Sequence, residues 1–390
     1  MTRLTPTIAP MIVPPKSELA SSALPITVTR PTLPPFEEYV ELLRGIWSRN
    51  QLTNAGPLVV ELERQLAAYL GVRHCLFVSN GTIALQLAYR ALDLRGEVIT
   101  TPFSYVATTS SLVWEGCAPV FADIERGTLT LSPEYAEAAI TPRTSAIVAT
   151  HVYGNACDVH ALGALARRKG LRLVFDAAHA FGARFEGRAL AAFGDVATLS
   201  FHATKLFHTV EGGAVVTDDD EIARRVAYLR NFGHKGQEAF QGIGINGKNS
   251  EMHAAMGLCL LPRMTEIVAE RQALSQRYDM HFATLGEAPL RPLLRTGLTY
   301  NYAYYPLLLA DADEVVEVQQ RCAGAGILTR RYFYPSLCGA LPYVPEFAVP
   351  VARDAASRVL CLPLFTGMSH AALDRVADVV QDTIACQRLK

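Results

Sequence analysis

Between His74 and Thr217, seven short runs rich in β-branched and aromatic residues alternate with stretches of helical patterning. That alternation restricts the chain to α/β architectures built on a parallel-type sheet. The runs are His74–Val78, Glu97–Pro102, Pro119–Asp123, Ala146–His151, Arg172–Asp176, Val196–Phe201 and Gly213–Thr217. Between them, Val59, Leu62, Leu66 and Tyr69 recur at helical spacing, as do Ile83, Leu87 and Ala91, so each of these helices buries one face. After Pro262 the pattern changes to a long charged helix from Arg263 to about Leu285, a few strands, and a closing helix from Ser369. With 390 residues, the chain is expected to divide into a large sheet domain over 28–262 and a smaller α+β domain over 263–390. Residues 1–27 read as a poorly ordered leader, and Pro6, Pro10, Pro14, Pro15 and Pro25 exclude a signal-peptide core.

The 36 Lys+Arg against 37 Asp+Glu leave a formal net charge of -1, no footprint for nucleic acid or an anionic membrane. Charges, Gly or Pro interrupt every hydrophobic run, so a cytoplasmic protein with a small-molecule partner is expected. The eight cysteines lie far apart, with no zinc-like spacing, and read as buried reduced thiols; no metal is implied. Gly242–Gly247 matches the G-x-G-x-x-G dinucleotide fingerprint and has Glu266 downstream, but no apolar strand precedes it. It reads as a glycine loop entering a helix capped near Ser250.

Four features together describe a pyridoxal-phosphate (PLP) site: a lysine for an imine, an acid for the pyridine nitrogen, a phosphate cradle and a wall for the ring. The run Val196–Phe201 leads through His202, Ala203 and Thr204 to Lys205, which suits a desolvated amine able to attack an aldehyde. Taken alone, a surface lysine is the commoner fate. Asp176 ends a buried strand, where open α/β sheets bind ligands, although turn and cap acids are as frequent there. Ser79-Asn-Gly81-Thr82 leaves a strand and opens a helix, so free amides and the Thr82 hydroxyl can hold a phosphate; an ordinary N-cap explains it equally. Tyr105 follows another strand end and can stack on a ring or pack in the core. His179 is either a ring contact or a core histidine, and Ser200 and His202 reach cofactor, substrate or only the turn.

Six ordered motifs go further: Leu52–Pro57, Ser79–Leu85, Asp176–His179, Ser200–Lys205, Glu211–Gly213 and Gly244–Lys248. From about Thr29 onward the chain resembles the DegT/StrS family of sugar aminotransferases, PLP enzymes of fold type I, the aspartate-aminotransferase fold. The resemblance implies that Lys205 carries the cofactor, Asp176 pairs with its pyridine nitrogen, Gly81, Thr82 and Ser200 hold its phosphate, and Tyr105 covers its ring. It also implies a homodimer with shared active sites, in which Asn246 completes the partner's phosphate site. Where the family continues with Met, this chain has Asn249, which puts that loop's geometry in question. The implied reaction moves the amino group of L-glutamate onto the keto carbon of a nucleotide-linked sugar, with Arg330, Arg331 and Tyr332 as contacts for its pyrophosphate and sugar. Glu211-Gly-Gly resembles enzymes that aminate C4 of a 4-keto-6-deoxyhexose. A C3-specific enzyme and a non-catalytic sugar-nucleotide binder are the alternatives.

Overall fold

A computed structural model of the protein describes residues 25–236, 238–285 and 291–388; most of the leader lies outside the described residues. Each of the seven runs is a strand: β1 His74–Val78, β2 Glu97–Thr100, β3 Ala118–Phe121, β4 Thr144–Thr150, β5 Arg172–Asp176, β6 Val196–Ser200 and β7 Gly213–Thr217. They form one sheet in the order β1-β7-β6-β5-β4-β2-β3. Strands β2 to β6 pair in parallel, and β7 is antiparallel to both β1 and β6. β1 therefore points the same way as β6, and the carboxyl ends of β1, β2, β4, β5 and β6 share one edge. Pro102, Asp123, His151 and Phe201, expected at strand ends, instead lie in the loops that follow.

Helices α1 Phe36–Arg49, α2 Pro57–Leu70, α3 Gly81–Ala91, α4 Val106–Trp114, α5 Pro133–Ala138, α6 Val159–Lys169 and α7 Asp220–Leu229 surround the sheet. Side chains alternate between the faces of a strand, which splits the sheet between two apolar cores. Leu173 and Phe175 of β5 join Phe77, Ile147 and Leu199 against Leu62 and Leu66 of α2 and Leu162 of α6. Val174 joins Leu76, Val148 and Val215 against Leu85 and Leu87 of α3 and Val226 of α7. Cover on both faces is why these strands read as nearly unbroken apolar runs.

The glycine loop ends at Ser250, whose hydroxyl caps α8 Glu251–Leu260. A short 3-10 turn then leads into α9 Met264–Phe282, the expected long charged helix. A third core joins Leu274 and Tyr278 of α9 to Leu307 of β8 Tyr305–Leu308, Val318 of α10 Ala312–Gly324, Leu360 of β9 Val359–Leu362, and Val376 and Val380 of α12 His370–Arg388. Helix α11 Pro350–Arg358 returns to the first core through Ala352, Ala355 and Ala356. At the other end, Ile26 donates to Gly326 O at 3.0 Å and accepts from Leu328 N at 2.8 Å. Ile26, within the expected leader, thus docks on the C-terminal part of the chain. All eight cysteines are free, and seven are buried; Cys386 is exposed, which corrects the expectation that all are core thiols. Among the described residues no helix is long and apolar enough to cross a membrane.

Candidate active site

The sheet edge gathering five strand ends opens into a cleft of about 390 Å³. Gly81, Thr82, Tyr105, Asp176, His179, Ser200, His202, Lys205 and Tyr332 all line it. Asn246, Arg330 and Arg331 do not. Asn246 is exposed on a loop where it pairs with Asn231. Arg330 pairs through its main chain with Cys361. The Arg331 guanidinium turns away, donating to Ser357 O at 2.7 Å and lying 3.5 Å from the Tyr334 ring centroid.

One end of the cleft is the N-terminus of α3. Asn80 caps it, its side chain accepting from Ile83 N at 2.9 Å. The amides of Gly81 and Thr82 meet no acceptor among the described residues. Two free amides, the helix dipole and the hydroxyls of Thr82 and Ser200 constitute an anion cradle. Its floor is tightly packed: a Cβ on Gly213 would come within 2.5 Å of the Asn80 carbonyl carbon, and one on Gly81 within 2.9 Å of Ser200 Cβ. Close approach is thus sufficient reason for Gly213, while Glu211 itself lines the rim, its Oε1 3.7 Å from His202 Nε2.

The other end holds the carboxylate. Asp176 is only 5% exposed, and burial pushes its pKa up. Thr108 donates to its Oδ2 at 2.7 Å and Ala178 N to its Oδ1 at 3.1 Å. Because Thr108 gives its proton to Asp176, it must accept from Ser104 at 2.8 Å, and Ser104 from Thr150 at 3.1 Å. The chain of hydroxyls fixes the carboxylate while leaving lone pairs free toward the cleft. Beside it, His179 accepts from Tyr153 N at its Nδ1, 3.2 Å, so the ring proton sits on Nε2. Burial, assisted by Lys205, holds its pKa well below the usual range, so the ring is neutral. It stacks on Phe333 at 5.5 Å and 9°, forming a flat wall.

Lys205 lies between the two ends. Burial pulls its amine down to about 8, with Asp176 and Tyr105 opposing. Its Nζ reaches Tyr304 Oη at 3.4 Å.

Several members of this constellation were missed in the sequence. Thr108 had a faint signal, since Ser104 and Thr108 put two hydroxyls four residues apart just after a strand end. Tyr304, 99 residues from Lys205, had none. Asn249 has a job of its own: its amide donates to Val78 O at 3.2 Å and Glu211 O at 3.0 Å, tying the β1 end to the Glu211 turn. The loop geometry that Asn249 put in question is held by these two bonds.

This geometry agrees with comparison to known proteins. The DegT/DnrJ/EryC1/StrS aminotransferase family model matches residues 36–381, and the chain belongs to that family. A dTDP-4-amino-4,6-dideoxy-D-glucose transaminase of Shigella dysenteriae is 40% identical over 364 residues, covering 92% of this chain and 99% of the relative. The Escherichia coli enzyme of the same name is 35% identical over 369 residues, covering 91% and 98%. Among solved structures, DesI in the presence of its TDP-sugar product superimposes with a TM-score of 0.89 at 37% identity, covering 94% of this chain and 95% of that one. The fold is therefore that of the type I PLP enzymes, and PLP is the cofactor of the family.

The cleft fits that cofactor. The cradle suits its phosphate, Asp176 its protonated nitrogen and the His179 ring its face, and Thr198 Oγ1 is buried with no partner among the described residues. A pH dependence follows. An imine forms by attack of a neutral amine, and burial makes the Lys205 amine neutral at lower pH than a free lysine. PLP uptake by the apoprotein, followed by absorbance, is expected to accelerate with pH and level off above about 8. A rate still climbing toward 10.5, the ordinary lysine value, would contradict this.

Proposed function

We propose that this aminotransferase passes the amino group of L-glutamate to C4 of a dTDP-linked 4-keto-6-deoxyhexose, giving the 4-amino-4,6-dideoxy sugar nucleotide. Overall, glutamate becomes 2-oxoglutarate and the ketone becomes an amine. The observation that carries the reading is the near full-length 40% identity to the Shigella dysenteriae transaminase, joined to a cleft with lysine, carboxylate and anion cradle in reach of one another.

PLP supplies the electron sink at the donor carbon and holds the amino group between the two half-reactions. The chain's own residues do the rest. The α3 amides and the Thr82 and Ser200 hydroxyls anchor the phosphate, and Asp176 keeps the ring nitrogen protonated. Lys205 Nζ takes the proton from the donor's α-carbon and returns protons to the acceptor. His202, Glu211 and Tyr332 line the open side, where the hexose enters. Arg331, bonded to Ser357 O and stacked on Tyr334, is left out of this set, and Arg330 lies off the cleft.

The reading includes a cytosolic homodimer with shared sites. Asn246 is exposed outside its own cleft, close in sequence to the exposed Phe240, Ile243 and Ile245, which supports a role toward a second copy. It also includes the division into a 28–262 sheet domain and a 263–390 domain, with the backbone bridge at Ile26 and helix α11 crossing between the two parts.

Incubating the purified protein with L-glutamate and 4-keto or 3-keto 6-deoxy sugar nucleotides, with product NMR, tests the function. The 4-keto dTDP sugar is expected to be turned over at least about a hundredfold more efficiently, since a rotated ring cannot align the reacting carbonyl. Efficient amination of the 3-keto compound alone would overturn the C4 assignment.

A further inference from the structure

The segment Tyr300–Tyr304 is fastened at nearly every residue to the structure around the cleft. Tyr300 Oη donates to Tyr153 O at 2.9 Å. Asn301 Nδ2 donates to His179 O at 2.8 Å and Phe181 O at 2.9 Å. Tyr302 is in the left-handed region at φ 52°, a conformation that persists only where the surroundings impose it. Those surroundings include Arg271 of α9, which donates from Nε to Tyr302 O at 3.0 Å and from Nη2 to Ala303 O at 2.8 Å. Arg271 is 5% exposed and makes no ion pair among the described residues. Its guanidinium is spent on these two carbonyls.

The segment delivers a single group to the reacting centre. Tyr304 is 8% exposed, its ring 4.7 Å from His179 and 5.7 Å from Tyr332, and its hydroxyl is the one side-chain partner of Lys205 Nζ among the described residues. We propose that Tyr304 is a catalytic residue that holds the Lys205 amine in position whenever that amine is free, with Arg271 as the positioning residue that braces it. The proposal rests on the assignment of Lys205 as the cofactor-bearing lysine. Burial pushes the phenol's pKa up, so it stays protonated. A neutral phenol donates to a neutral amine and accepts from an ammonium, and so serves both states of a lysine that collects a proton and gives it back. Without it, a long flexible side chain would search for the donor carbon, and misplacement by an ångström is costly.

The test uses the PLP-loaded enzyme, Tyr304→Phe and Arg271→Lys, in single turnovers with L-glutamate and α-deuterated L-glutamate, alongside borohydride trapping with peptide mapping. Tyr304→Phe is expected to trap PLP on Lys205 in full yield and to saturate with glutamate as before. Its conversion slows roughly ten- to a hundredfold, with an enlarged deuterium isotope effect. Arg271→Lys, which leaves the phenol in place, shows the same signature more weakly. Trapping intact with wild-type rate and isotope effect in Tyr304→Phe overturns the proposal. A slower rate with an unchanged isotope effect also overturns it, because the defect then lies away from proton transfer. Wild-type behaviour in Arg271→Lys overturns the bracing role, and an adduct on another lysine overturns the Lys205 assignment on which the proposal stands.

Discussion

In Lys205→Ala, turnover of L-glutamate and keto-sugar nucleotide is expected to fall by about a thousandfold or more, while PLP binding survives in weakened form. The two effects separate because different elements cause them. The Gly81 and Thr82 amides and Asp176 lie on other strand ends, and Ser200 lies on the last position of β6 ahead of the turn to Lys205, so all remain in place and the phosphate and ring nitrogen keep their partners. What vanishes is the amine that attaches the cofactor and then moves the proton, a role worth roughly 10²- to 10⁴-fold for the proton transfer alone. Absorbance titration with PLP and steady-state rates check both halves. Activity within tenfold of wild type would remove Lys205 from the mechanism.

Asp176→Asn separates charge from shape. An amide fills the same space and can still meet Thr108 and Ala178 N, but it no longer favours a protonated ring nitrogen, so electron withdrawal from the donor carbon weakens. A loss of roughly 10²- to 10³-fold is expected, comparable with removing one preorganised stabilising group from an active site. Stability is expected to move the other way. Burial disfavours the charged form of Asp176, and an amide ends that penalty, so the apoprotein should melt no lower than wild type. A mutant with normal rates, or one that fails only because it unfolds, would refute the assigned role.

The strands were legible because helices cover both sheet faces, which puts apolar residues on both faces of β4, β5 and β6. Asp176 and Lys205 were legible for a related reason: each follows such a run, at the edge where α/β sheets bind ligands. The direction of β7 was not, since a buried strand has the same apolar pattern whichever way it runs. Docking of Ile26 on Ile327 was hidden because a single bridge between distant segments needs only backbone.

Other gaps concern side-chain direction. Arg330 and Arg331 read as two cations available to a pyrophosphate, but the Tyr334 ring and the Ser357 carbonyl claim one guanidinium and the strand pairing with Cys361 sets the other's main chain. Glu211-Gly-Gly read as a marker of the sugar carbon. The structure gives Gly213 a steric reason, the Asn80 backbone, and places Glu211 and its neighbour His202 on the lining of the cleft. Thr108 and Tyr304 were missed because hydroxyls acting on a buried group look, in sequence, like ordinary core residues.

The most direct measurement is borohydride reduction of the PLP-loaded protein, followed by peptide mapping of the fixed cofactor. A single pyridoxyl adduct on Lys205 is the predicted result, because this is the lysine that lines the cleft between the anion cradle and Asp176. An adduct on any other lysine, or none from a protein that still converts glutamate, would contradict it.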